Sequence, residues 1–113
     1  MSGGRPGEAS EAVVVLSTVP DEAKGREIAR ALVEERLAAC VTVSAAVRSL
    51  YRWQGEIADE TEFLLVIKTR RSLYARLEAR LKALHPYTVP EILALPVAAG
   101  NEAYLKWIGE ETA

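Results

Sequence analysis

From Thr61 to Thr69 the chain reads TEFLLVIKT, five consecutive apolar residues between polar ends. In a strand, neighbouring side chains point to opposite faces. Leu64 and Val66 then face one way, and Phe63, Leu65 and Ile67 the other. A strand of a half-solvated antiparallel sheet alternates oily with polar positions. This one is oily on both sides and needs two covers.

The rest of the pattern supplies one of them. Ala12 to Ser17 (AVVVLS) is a β-branched run ended by Thr18-Val19-Pro20, a buried strand. Asp21 is placed to cap a helix in which Ile28, Ala29, Leu32 and Val33 recur at helical spacing, running to about Leu37. A second β-rich segment spans Cys40 to Trp53, with a bend or bulge expected at Ser44 to Ala46. Gln54-Gly55-Glu56 makes the turn that returns the chain through the TEFLLVIKT strand. Leu73, Leu77, Leu81 and Leu84 form the stripe of a second helix, closed by His85-Pro86. Glu91 to Val97 is a fourth strand, with Pro96 at its end or on a sheet edge. Asn101 caps a last short helix carrying Tyr104, Leu105, Trp107 and Ile108.

The order β-α-β-β-α-β plus a terminal helix predicts an α+β fold, the ferredoxin-like sandwich. Its two main helices cover one face of a four-stranded sheet and leave the other open. A patch of that size is unusual on a soluble monomer. The open face therefore predicts an oligomer, with Tyr51, Trp53, Phe63 and Leu65 as expected subunit-contact residues.

Composition narrows the partners. The chain has 113 residues, enough for one domain, expected over 12–113 behind a flexible tail at 1–11. A formal charge of −2 with interspersed signs offers no basic stripe for nucleic acid or anionic membrane. No apolar stretch approaches the roughly 20 residues of a membrane span. Cys40 is the only cysteine, so no disulfide forms within the chain, and a cytoplasmic location is the default expectation.

Four segments taken together resemble one family: RLAACV (36–41), SLYRWQGEI (49–57), HPYTVPEI (85–92) and YLKWI (104–108), joined by the strand from Glu62 to Lys68-Thr69. Their order and spacing are similar to the CutA family of divalent-cation tolerance proteins. The resemblance implies a cytoplasmic homotrimer of ferredoxin-like subunits, built like the PII signalling proteins and tied to copper tolerance and copper binding. Ser17 stands where some bacterial relatives carry a further cysteine, and Leu84 where some have a second histidine before His85. Cu(I) prefers thiolates, so high-affinity capture of Cu(I) by one subunit is not expected.

Cys40 and His85, the only thiol and the only imidazole, are the candidate ligands for a soft or borderline metal, with Glu62 completing the set. Two ligands fall short of a dedicated transition-metal centre, so Glu60, Glu62 or Glu91, from this or a neighbouring subunit, would have to contribute. Weak Cu(II) binding that depends on His85 is the expectation. Each residue also has a structural reading: Cys40 as a small core residue, His85 as a helix C-cap. Glu62 and Lys68 share a strand face but stand roughly 20 Å apart, so each needs a partner elsewhere. Glu91 is a candidate for Lys68, and an ion pair at a subunit boundary is the structural reading for both. The functional reading is a polar cleft of Trp53, Glu62, Lys68, His85, Tyr87 and Glu91, suited to a small anionic or amphipathic ligand.

Other functions of this topology are disfavoured. An RNA-recognition domain stacks bases on central-strand aromatics, and here that strand holds only Phe63. An acyl-phosphate hydrolase needs a phosphate cradle after the first strand, where Thr18-Val19-Pro20-Asp21 has no glycine and ends in an anion. No phosphate loop, zinc-type cysteine spacing or nucleophile elbow occurs. Two non-enzymatic functions remain: a trimer responding to divalent metal ions, or a PII-like trimer binding a small metabolite or partner protein in clefts between subunits.

Overall fold

The computed structural model describes residues 11–113, so nearly all of the tail expected over 1–11 lies outside the described residues. The elements are β1 (Ala12–Val19), α1 (Glu22–Glu34), β2 (Cys40–Trp53), β3 (Glu56–Arg70), α2 (Tyr74–Leu84), β4 (Leu93–Pro96) and α3 (Glu102–Glu110). A single 3₁₀ turn, Arg71–Leu73, leads into α2. The four strands form one antiparallel sheet in the order β2-β3-β1-β4, the ferredoxin-like arrangement.

One face of the sheet is closed as the periodicity predicts. Val13, Val15 and Val19 of β1 and Leu65 and Ile67 of β3 meet Ile28 and Leu32 of α1 and Leu77 and Leu81 of α2 in one core. Asp21 caps α1 by accepting the Lys24 N–H at 2.7 Å. The helix stops at Glu34 rather than near Leu37 because Arg36 takes a left-handed φ of 60°. Leu37 N–H then returns to the Leu32 carbonyl (2.9 Å) and Arg36 N–H to that of Val33 (3.0 Å), a Schellman closure. Glycine usually marks such a stop; arginine here gives no signal. Arg36 is held instead by donating Nη2 to the Glu110 carbonyl at 2.8 Å, which ties α1 to α3.

The β2–β3 hairpin is longer than the sheet it belongs to. β1 pairs only with 63–70 of β3, so β3 from Glu56 to Glu62 and its partner segment of β2 project as a two-stranded ribbon. The molecule extends 52 × 25 × 24 Å, and its radius of gyration of 15.1 Å exceeds the roughly 13 Å of a compact chain this long. The expected irregularity falls between Val43 and Ala46. There the Ser44 hydroxyl accepts the Leu64 N–H (2.8 Å) that the bulge would leave without a ladder partner. At the ribbon tip Gln54 and Gly55 have φ of 51° and 83°, a two-residue turn matched to strand twist. No atom comes within 4 Å of a Cβ built on Gly55, so Gly55→Ala tests backbone strain alone. It is expected to cost about 1–2 kcal/mol in urea denaturation.

The second face is left open. Strand parity puts Val14 and Leu16 of β1, Leu64 and Val66 of β3, and Leu93 and Leu95 of β4 there, the last two exposed. α3 closes one end, where Ile108 is buried and Arg70 Nε donates to Thr112 Oγ1 at 2.7 Å.

A candidate cleft between the ribbon and the α2–β4 loop

A cleft of about 840 Å³ lies where the ribbon rises past the loop joining α2 to β4. The ribbon contributes Ser49, Tyr51, Trp53, Glu60 and Glu62, and the loop Tyr87, Thr88 and Glu91. The bulge positions this wall. By shifting the register it pairs Val47 with Glu62, Ser49 with Glu60 and Tyr51 with Ala58, so the odd residues of β2 share the open face with the even ones of β3. Tyr87 Oη donates to Glu62 Oε2 at 2.8 Å. Burial and the carboxylates beside it push the Tyr87 phenol well above the usual tyrosine range. Tyr51 is raised too, by loss of solvent and by Glu60 and Glu62. Both phenols stay protonated and can donate. Arg48 also reaches the cleft, but its guanidinium is held by Asp59 at 2.8 Å.

His85 does not fit the ligand role. Its Nε2 lies 2.8 Å from the Thr18 carbonyl, and its Nδ1 accepts the Tyr87 N–H at 3.0 Å. A carbonyl needs a donor and an N–H needs an acceptor, so the ring is the neutral Nε2–H tautomer. Both nitrogens are engaged and no lone pair remains for a metal. Burial lowers its pKa, against the raising effects of the Thr18 carbonyl and Glu62 and with a lowering effect from Lys24. The ring does not cap α2 through its carbonyls either: it pins the loop to β1 and so aims Tyr87 at Glu62.

Cys40 and His85 do not share a site. Cys40 pairs across the sheet with Lys68, and Lys68 with Val14, four residues before Thr18. Four strand residues amount to roughly 13 Å. Lys68 Nζ donates to Thr42 Oγ1 (3.0 Å) and lies 3.7 Å from Cys40 Sγ, so it neither lines the cleft nor pairs with Glu91. Among the described residues no three His, Cys, Asp or Glu side chains are close enough to hold an ion. The donor set of one chain does not fit a closed transition-metal centre. Ser17 faces the helices and is fully buried, so that position offers nothing to the cleft.

The expected contact residues divide. Tyr51 and Trp53 are exposed on the ribbon. Leu65 is 0% exposed in the core, and Phe63 packs partly against it, because their parity is that of Ile67 and faces α1 and α2. Assigning Leu65 to a subunit interface chose the wrong side of β3. The open side carries Leu64 and Val66, and the opposite face of the ribbon carries exposed Leu50 and Ile57, a pair which the sequence reading did not single out. Thr18, Ser49 and Thr88 were also missed as cleft residues. The bulge decides the parity of Ser49, and a one-residue error in placing it would hide the wall.

Comparison with known proteins fits the same frame. The model of the CutA1 divalent ion tolerance protein family matches residues 13–111. The chain belongs to the CutA family. It is 58% identical over 99 residues to the divalent-cation tolerance protein CutA of Thermus thermophilus, covering 88% of this chain and 96% of that one. A solved structure of the divalent cation tolerance protein from that organism superposes with a TM-score of 0.88 at 56% identity, over 90% of this chain and 99% of that one. The chloroplastic CutA of Arabidopsis thaliana is 42% identical over 100 residues, 88% of this chain but only 55% of that longer protein. The CutA fold, ferredoxin-like and PII-like, is thus the fold of this chain.

Proposed function

We propose that this CutA protein is a non-catalytic homotrimer that responds to divalent cations, Cu(II) among them, through weak oxygen-donor sites in its clefts. The observation that carries this reading is that Glu60, Glu62 and Glu91 all line one cleft, although within a single chain they do not cluster closely enough to hold an ion. The trimeric number comes from the family resemblance. Oligomerisation is supported by the half-open sheet and by a ribbon whose Leu50 and Ile57 are 67% and 62% exposed. Two strands alone are marginal in water, and burying each such side chain contributes roughly 1.5–3 kcal/mol. A cytoplasmic setting is consistent with the single thiol, and no helix among the described residues is long and apolar enough to cross a membrane.

Calorimetric titration with Cu(II) of protein purified without a His tag tests the metal assignment. Wild type is expected to bind weakly, Glu62→Gln to lose at least about ten-fold in affinity, and His85→Gln to leave affinity within about two-fold. Undiminished affinity in Glu62→Gln would remove the cleft as the metal site. The second reading, a small-metabolite cleft, is favoured by its volume and its Tyr51, Trp53 and Tyr87 lining, which lie within the range of small-molecule sites. A thermal-shift screen of metabolites separates it from the first.

A further inference from the structure

Glu62 poses a problem that a single chain does not solve. The residue is 5% exposed, faces the cleft, and has the Tyr87 hydroxyl as its hydrogen-bond donor. No Lys or Arg among the described residues forms an ion pair with it. A buried carboxylate without a counter-charge is costly, and proteins resolve it by pairing.

Lys68 poses the complementary problem. It is half-buried on the same open face, and its partners are the Thr42 hydroxyl and the Cys40 sulfur, neither of them a carboxylate. Arg70 shares this parity, but its guanidinium is held by Thr112 and the Ala113 carbonyl. Arg52 pairs with Ile57 on the opposite face of the ribbon. Arg26 and Arg76 sit on the helices behind the sheet. Among the described residues Lys68 is thus the open-face cation without an acid, and Glu62 the buried open-face acid without a cation, whereas Glu60 and Glu91 are exposed to solvent. Six strand residues, roughly 20 Å, keep the two apart within one chain.

We infer that Lys68 of a second copy enters the cleft and pairs with Glu62, so that each cleft is built by two chains. This rests on the oligomeric reading above and adds to it the residue that completes the site. The same open face that must be covered carries both charges, in positions that satisfy each other only between copies. Each copy offers one acid and one lysine, so in the trimer proposed above the contact repeats head to tail around the ring. A divalent ion at Glu62 has to displace this ammonium, which accounts for weak binding and couples cation occupancy to assembly.

Oxidative cross-linking tests the pairing directly. A Cys40→Ser chain carrying Glu62→Cys and Lys68→Cys has thiols too far apart for an internal disulfide, which needs Cα atoms within about 7 Å. Oxidation is expected to give disulfide-linked multimers on a non-reducing gel that collapse to single chains with reductant. Protein that stays single-chain both after oxidation and after treatment with a short bis-maleimide, which spans the wider Cα separation of a Lys–Glu pair, while wild type is oligomeric by light scattering, overturns the pairing and leaves oligomerisation standing. Wild type that scatters as a single chain overturns both. Charge exchange gives a second measurement should the cysteine variant fold poorly. Glu62→Lys and Lys68→Glu alone are each expected to dissociate at about ten-fold higher protein concentration or more, and the double exchange to restore assembly to within about three-fold of wild type. A double variant as dissociated as either single one overturns the pairing.

Discussion

Leu65→Ala is expected to lower subunit stability by about 2–5 kcal/mol, the cost of deleting a fully buried leucine and leaving a cavity. Leu65 is 0% exposed, and its Cδ2 lies 3.5 Å from where a Cβ on Gly25 would sit, against Val19 and Val43. α1 rests on β3 this closely because residue 25 has no side chain. The floor under the helix cannot collapse into the space, since Val15, Val19 and Ile67 are held by the ladder. Leu64→Ala, one residue away on the open face, should cost the subunit less and weaken assembly more. Urea denaturation at fixed protein concentration, beside light scattering of both variants, separates the two effects. Equal losses of stability with loss of assembly only in Leu65→Ala would mean that the helices cover the other side of β3.

This contrast also marks what the chain disclosed as text. The run FLLVI announced that β3 is apolar on both sides, and the element order announced a ferredoxin-like sheet. Which parity belongs to which cover was not written there. Both sets are equally oily, and the choice depends on where α1 and α2 cross, through contacts such as Gly25 against Val19 and Val43. Local chemistry was legible where a side chain acts on its own neighbourhood: Asp21 and Asn101 as caps, Gly55 at the turn, Pro96 ending an edge strand. Chemistry between distant segments was not. Glu62 meets Tyr87 because a histidine 23 residues later binds a carbonyl of β1, a contact that no spacing encodes. The same holds for the termination of α1 at Arg36, where the bond to Glu110 comes from the far end of the chain.

His85→Ala is expected to destabilise the protein by about 2–4 kcal/mol, because it leaves the Thr18 carbonyl and the Tyr87 N–H without partners in a buried site. It also removes the ring that packs on Tyr87, whose centroid lies 4.9 Å away, so the Tyr87–Glu62 bond should loosen with it. The titration of His85 adds a pH signature. Burial holds its folded pKa below the unfolded value near 6.5. Between the two values the unfolded chain binds more protons, so stability falls as pH drops. The contribution is complete above about pH 6.5 and is lost as pH falls through the folded pKa. Protonation would place a hydrogen on Nδ1 facing the Tyr87 N–H, donor against donor, while Nε2 keeps its bond to Thr18. Acid should therefore release the loop at Tyr87 before it releases the helix. Thermal melts from pH 7.5 to 5 should show wild type losing Tm more steeply than His85→Gln, which does not titrate. Parallel curves would mean that the imidazole is charged, or solvated, in the folded chain.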